Sequence, residues 1–231
     1  MKEVVRREYY LFSPWLRIFH WIMVVSICVL FTTGLMITSP WIIYSSEPTF
    51  SGMTVDNIRN IHFLAAYLFS ASFIFKIYGF IINRGDRLFP HVWKGYFYRN
   101  TVDVALHYMF LKPEHASYLR NPLARCSYAF LYVLVFIEIL TGFGIYYMTD
   151  PSGIGGTLFG WVIMVLGGEM MAHLVHHYVA WAIILFAIGH VYMVIRAEFM
   201  EGESEVSSMF SGSKILAHEP RDAGHLDGTL K

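Results

Sequence analysis

The chain has 231 residues, of which 56% are hydrophobic and only 15% are charged, and its formal net charge is zero. A soluble domain is typically about 25% charged, so this composition is that of a membrane protein. The neutral balance also provides no basic surface of the kind that binds nucleic acid, and we expect no nucleic-acid partner.

The two cysteines, Cys28 and Cys126, stand outside any CxxC or CxxCH sequence. This argues against a disulfide framework, an iron–sulfur site and the attachment of a c-type haem. The N-terminal residues are charged and aromatic, and no small-residue cleavage site follows the first apolar run. We therefore interpret that run as a retained helix and not as a cleaved signal.

Four apolar segments meet or approach the roughly 20 residues needed to cross a hydrocarbon core of about 30 Å. They are residues 18–37, 61–82, 127–148 and 171–195. The sequence therefore predicts an all-α fold, an integral membrane four-helix bundle within a domain over residues 1–200. Residues 201–231 form a polar tail that we expect to lie in the cytoplasm and to be poorly ordered.

Lysine and arginine predict how the helices are oriented in the membrane. Basic residues gather before the first helix and in the loop between the second and third helices, whereas the other two loops contain none apart from Arg59 at the mouth of the second helix. By the positive-inside rule both termini and the middle loop are cytoplasmic, and the other two loops face the periplasm. The middle loop also mixes aromatic and basic residues, which suits an interfacial amphipathic helix or a surface that contacts a partner.

Histidines lie within or close to the ends of the predicted helices, where ionisable side chains are costly and indicate candidate functional sites. They are His20, His62, His173, His176, His177 and His190. His176 and His190 are 14 residues apart on one helix, which places them within about 40° of the same face and about 21 Å apart along the axis. The fourth helix therefore presents imidazoles at two depths.

The first and second helices supply one histidine at each depth. Given the predicted orientation, His20 lies near the cytoplasmic surface with His190, and His62 lies near the periplasmic surface with His176. Two axial imidazoles saturate haem iron and favour electron transfer over chemistry at the metal. We therefore predict two non-covalent haem b sites, one held by His62 and His176 and the other by His20 and His190. The alternative is that each histidine only hydrogen-bonds a neighbouring helix.

Further residues are candidates for supporting roles. Arg59 and Lys76 share the ligand face of the second helix and are candidate partners of haem propionates, with interfacial anchoring or snorkelling as the alternatives. His173 is a substitute ligand, although a hydrogen-bonding or interface role is favoured. Glu138 indicates either a proton path or a hydrogen bond to a neighbouring helix. Glycines that would let a haem or another helix approach the backbone are Gly34, Gly142 and Gly144.

Two stretches of the chain resemble signatures of a known family. Arg17-Ile-Phe-His20-Trp21, followed by Thr33-Gly34, resembles the N-terminal signature of the b-type cytochrome subunit of membrane-bound nickel–iron hydrogenases. The stretch from His173 to Trp181, continuing to Gly189-His190-Val-Tyr-Met, resembles the C-terminal signature of that family, whose two histidines are haem ligands. Quinone-linked formate dehydrogenases have a similar four-helix subunit with two haems.

The resemblance implies a place in a redox chain of the bacterial inner membrane. In the family, a large and a small hydrogenase subunit oxidise dihydrogen on the periplasmic side, and electrons leave through iron–sulfur clusters of the small subunit. The cytochrome then passes them to a quinone. By analogy His62 and His176 hold the entry haem, and His20 and His190 hold the exit haem. The chain is then an electron-transfer subunit with no substrate-oxidising site and no catalytic residue of its own.

The resemblance also implies a quinone site on the cytoplasmic side. Arg17, Arg196 and Tyr10 lie near the depth expected for the exit haem, where a basic or phenolic group could hydrogen-bond a quinone carbonyl. For each of them, snorkelling or interfacial anchoring is the favoured alternative. Two other functions stay open for the whole chain: the equivalent subunit of a formate dehydrogenase or another periplasmic oxidoreductase, and a non-haem structural or transport membrane protein.

Overall fold

The computed structural model describes residues 7–39, 55–82, 88–113, 117–200, 202, 204–216 and 220–222. Helices account for most of them, and one short strand lies near each end of the chain. In chain order the elements are β1 (Arg7–Tyr10), α1 (Pro14–Thr38), α2 (Val55–Ile82), α3 (Gly95–Tyr108), α4 (Pro122–Tyr146), α5 (Ile154–Leu166), α6 (Glu169–Met200), α7 (Glu205–Ser211) and β2 (Ser213–Leu216). A 3-10 turn, Tyr147–Thr149, directly follows α4.

Within the described residues, four helices are long and apolar enough to cross a membrane: α1, α2, α6, and α4 together with the turn that follows it. The prediction of an all-α membrane protein with four spanning helices is therefore confirmed. The fifth apolar helix, α5, has 13 residues. At 1.5 Å per residue it is about 20 Å long, which is too short to cross the hydrocarbon core.

Helices α1 and α4 begin with the same capping chemistry. Their first residues are Pro14 and Pro122, at a position where the missing N–H costs nothing and the fixed φ suits a helix. The Ser13 hydroxyl accepts a hydrogen bond from the Leu16 N–H at 3.2 Å, and the Asn121 amide oxygen accepts two from the first turn of α4, at 2.9 and 3.3 Å. Both helices start before the apolar runs at residues 18 and 127, because the caps set their beginnings.

Contacts between residues divide the chain into two compact units. The first unit consists of the described residues within 1–17, 79–136 and 185–231, and the second consists of those within 18–78 and 137–184. The first unit therefore contains both strands with α3 and α7, and the second contains α5.

Within the first unit, residues near the two chain ends form an antiparallel strand pair. β1 pairs with β2 from Arg7 opposite Leu216 to Tyr10 opposite Ser213. Beside the strands, buried apolar side chains form a core that consists of Leu11, Phe12, Leu16, Leu119 and Leu216. The prediction of a poorly ordered tail after residue 200 is wrong for residues 205–216, because this segment contributes a strand and a core side chain despite its polar composition.

Lys214 fixes the position of β2 within the first unit. Its side chain is fully buried, and its ammonium group donates a hydrogen bond to the Tyr118 carbonyl at 2.9 Å and pairs with the Glu205 carboxylate at 2.5 Å. A buried ammonium is costly unless it is paired and hydrogen-bonded, so these two contacts are required for this packing.

Candidate cofactor site

His62 lies on α2, partly buried, and contacts α1 in the second unit. Its Nδ1 atom lies 2.8 Å from the hydroxyl oxygen of Thr33. That hydroxyl has one hydrogen and lies 2.7 Å from the carbonyl of Val29, one turn earlier on α1. Because the hydroxyl donates to this carbonyl, the Nδ1–H group of His62 donates to the hydroxyl oxygen. The other ring nitrogen, Nε2, then keeps the lone pair that a metal needs.

His176 on α6 repeats this arrangement with α4, again in the second unit. Its Nδ1 atom lies 2.9 Å from the hydroxyl oxygen of Thr141, which donates to the Ile137 carbonyl at 2.9 Å. The argument made for His62 therefore applies here as well: the Nδ1–H group of His176 donates to the Thr141 hydroxyl oxygen.

A glycine follows each of these threonines and faces the same imidazole. A Cβ atom built at Gly34 would lie 3.6 Å from Cε1 of His62, and one built at Gly142 would lie 3.1 Å from Cε1 of His176. The threonine thus holds Nδ1 while the glycine leaves room for the ring. We refer to Thr33-Gly34 and Thr141-Gly142 as the two Thr-Gly pairs.

The structure places His62 and His176 in the same unit. The sequence predicted them as partners only from the depth in the membrane that their positions along α2 and α6 imply. That they hold one haem together stays a prediction.

Glu138 contacts the second nitrogen of His176. Its Oε1 atom lies 3.3 Å from Nε2 of His176, and its side chain is largely buried. Of the two roles predicted from sequence, a proton path or contact with a neighbouring helix, the structure shows contact with α6. Iron binding at Nε2 and this contact exclude each other, so Glu138 must turn away when a metal is bound.

Aromatic side chains surround the His62 end of α2. The ring of Phe63 packs edge-on against Tyr146 with centroids 4.6 Å apart, and the hydroxyls of Tyr67 and Tyr147 are 2.9 Å apart. The guanidinium of Arg59 lies 6.0 Å from the centroid of Phe63. The role of Arg59 as a propionate partner stays a prediction. Lys76, the other predicted propionate partner, is partly buried farther along α2.

His190 and His20 have aromatic neighbours of their own. In the first unit, the His190 ring stacks on Phe186 at 5.9 Å, and Tyr128 packs edge-on against it at 6.0 Å. His20, in the second unit, meets the Trp21 ring edge-on at 5.2 Å. The pairing of His20 with His190 stays a prediction.

The remaining histidines of α6 bond within their own helix. Nδ1 of the exposed His173 lies 3.1 Å from the Glu169 carbonyl, as expected of a hydrogen-bonding role. Nε2 of His177 accepts a hydrogen bond from the Trp181 indole at 3.2 Å.

The residues predicted to contact quinone all lie in the first unit. The Arg17 guanidinium donates to the backbone carbonyl of Phe210 at the end of α7. Arg196 lies 3.3 Å from Nε2 of His107 and stacks over the rings of Tyr108 and Phe110. The first contact joins α7 to the start of α1, and the second joins α3 to α6. Both arginines therefore have a structural role that sequence analysis missed. Tyr10 is half exposed.

Spanning helices whose partly buried histidines are hydrogen-bonded at Nδ1 by threonines of neighbouring helices define a class, integral membrane proteins with imidazoles suited to ligating a metal centre. The model of the family described as prokaryotic cytochrome b561 matches residues 11–212. The chain belongs to this family, which confirms the resemblance found in the sequence and places it in the bacterial inner membrane as a multi-pass b-type cytochrome.

Named relatives resemble the chain over most of its length. A probable Ni/Fe-hydrogenase B-type cytochrome subunit of Cupriavidus necator is 34% identical and covers 90% of this chain and 87% of its own. The probable Ni/Fe-hydrogenase B-type cytochrome subunit of Rhodobacter capsulatus is 30% identical, and the match covers 93% of this chain and 85% of the relative. The probable Ni/Fe-hydrogenase 1 B-type cytochrome subunit of Escherichia coli K12 is 31% identical, and the match covers 89% of this chain and 90% of the relative.

The residues of the second unit fit the haem b that this family implies. Nε2 of His62 and of His176 has a lone pair under the hydrogen-bond pattern described above, which is the tautomer that iron requires. Gly142 avoids a methyl group that would crowd His176, whereas a methyl group at Gly34 would make only an ordinary contact with His62.

Proposed function

We propose that this chain transfers electrons from a membrane-bound nickel–iron hydrogenase through two b-type haems to the quinone pool. The relatives named as hydrogenase cytochrome subunits, which are similar over about nine-tenths of the chain, support the partner. The observation that carries the proposal is the matching environment of His62 and His176, each with Nδ1 held by a threonine of a neighbouring helix.

In this proposal His62 and His176 hold the entry haem, and His20 and His190 hold the exit haem. Haem would supply one-electron redox chemistry when bound, and two imidazole ligands would favour electron transfer over substrate chemistry at the iron. The protein orients the imidazoles and surrounds them with apolar side chains, while Arg59 and Lys76 neutralise propionates. Arg17, Arg196 and Tyr10 are the proposed contacts of quinone.

The distribution of basic residues supports a cytoplasmic position for the first unit. Of the 17 lysines and arginines, all except Arg59 and Lys76 fall in the ranges of this unit. By the positive-inside rule such a unit faces the cytoplasm. The hydrogenase large and small subunits would then bind on the periplasmic side, next to the entry haem.

The test is an optical difference spectrum of native membranes, reduced with dihydrogen and compared with the air-oxidised sample and with a sample reduced by dithionite. A b-type band that appears with dihydrogen and is missing in a strain without this chain is the expected result. A band that appears only with formate or dithionite would contradict the hydrogenase partner but keep the haem protein. The lack of any band would favour a structural or transport protein.

A further inference from the structure

We propose that Thr33 and Thr141 are positioning residues that set the tautomer and the donor strength of His62 and His176, and that they thereby lower the midpoint potential of one haem. The inference rests on the proposed function, because it takes these two histidines as ligands of the same iron. It assigns a role to the threonine of each Thr-Gly pair.

The threonine hydroxyls are acceptors at these positions because their hydrogens are already committed. Each lies within 2.9 Å of a carbonyl one turn earlier on its own helix. Thr38, on the same helix as Thr33, also donates to its own helix, at 2.9 Å from the Gly34 carbonyl. Thr33 and Thr141 differ from Thr38 because each hydroxyl oxygen also contacts an imidazole nitrogen of a neighbouring helix.

Burial makes these hydrogen bonds persistent. Thr33 is 8% exposed and Thr141 is 2% exposed, so water does not compete for the Nδ1–H groups. In such surroundings an imidazole hydrogen without an acceptor is costly. The threonines therefore favour the Nδ1–H tautomer and leave Nε2 as the only nitrogen able to ligate iron.

The same contacts influence the haem electronically. An imidazole that donates from Nδ1 becomes a more basic ligand, and a more basic ligand stabilises ferric over ferrous iron. Because each threonine would act on one of the two ligands of the same iron in this proposal, their effects would have the same sign. The Glu138 contact cannot serve this purpose, since it occupies Nε2, the nitrogen that would bind the metal.

The experiment uses the full-length chain, purified with its haems, and four variants: Thr33→Val, Thr141→Val, Thr33→Ser and Thr141→Ser. Valine keeps the volume and removes the acceptor, whereas serine keeps the acceptor. We expect each valine variant to shift the midpoint potential of the same haem to a more positive value in an optical redox titration. We also expect each to change the low-spin ferric signal in electron paramagnetic resonance, and each serine variant to resemble the wild type.

Thr38→Val is the matched control, because it removes a hydroxyl from α1 that bonds to its own helix, and we expect it to leave both readouts unchanged.

If His62→Ala removes one haem while the valine variants leave its potential and signal unchanged, the inference is wrong and the proposed function stands. If the wild-type chain binds no haem, or His62→Ala retains both, the proposed function itself fails. If a valine variant loses the haem, a serine variant with wild-type haem supports the inference, and one that loses it equally contradicts it.

Discussion

At the scale of single residues, the two glycines of the Thr-Gly pairs differ in a way that can be measured. A methyl group at position 142 would lie 3.1 Å from the His176 ring, closer than ordinary contact, whereas one at position 34 would lie 3.6 Å from His62. We expect Gly142→Ala to lower haem occupancy several-fold, as overpacking by about 1–3 kcal/mol would, and Gly34→Ala to have little effect. Haem content per chain, measured as the pyridine haemochrome, checks this. Equal losses in both variants would show that the imidazole contact does not decide occupancy.

The residues around the candidate site differ in how well the sequence predicts them. Helical spacing and orientation indicated His62 and His176, because depth in a membrane follows directly from position along a helix. The contact of Thr141 with His176 depends on how α4 and α6 are rotated towards each other, which packing decides. The repeated Thr-Gly dipeptide, present in both α1 and α4, is the signal that would have pointed to it.

At the scale of the elements, the packing of α5 against the turn after α4 gives the next prediction. A Cβ atom at Gly155 would collide with the ring of Tyr147, whereas Gly160, on the same helix, has open space around it. We expect Gly155→Ala to destabilise the protein by about 1–3 kcal/mol through overpacking, and Gly160→Ala to be neutral or stabilising by up to about 1 kcal/mol. Thermal denaturation of the purified protein distinguishes them. A similar melting temperature for both variants would contradict the packing described for α5.

Hydropathy predicted the existence of the spanning helices better than their ends or the small elements between them. The caps that begin α1 and α4 are polar, so they lie outside the apolar runs that indicated these helices. The pairing of β1 with β2 joins four-residue strands from opposite ends of the chain. Segments this short show no decisive periodicity, and their pairing depends on Lys214 and on a core that only the folded chain assembles.

At the scale of the whole molecule, the orientation in the membrane is open to a direct test. The distribution of basic residues predicts that residue 113 is cytoplasmic and residue 152 periplasmic. Pro113 and Ser152 are both exposed, so a cysteine at either position is accessible to reagents. The natural Cys28 and Cys126 would first be replaced by serine in both single-cysteine variants.

In intact cells with a permeable outer membrane, a thiol reagent that cannot cross the inner membrane should label Ser152→Cys and not Pro113→Cys. Opening the inner membrane should then allow labelling of both variants to a similar extent, which controls for accessibility. The prediction follows because translocating a loop rich in lysine and arginine is unfavourable, and the segment that contains residue 113 carries such residues. The reverse pattern would place the entry haem on the cytoplasmic side, and a periplasmic hydrogenase could then not supply electrons to His62 and His176 first.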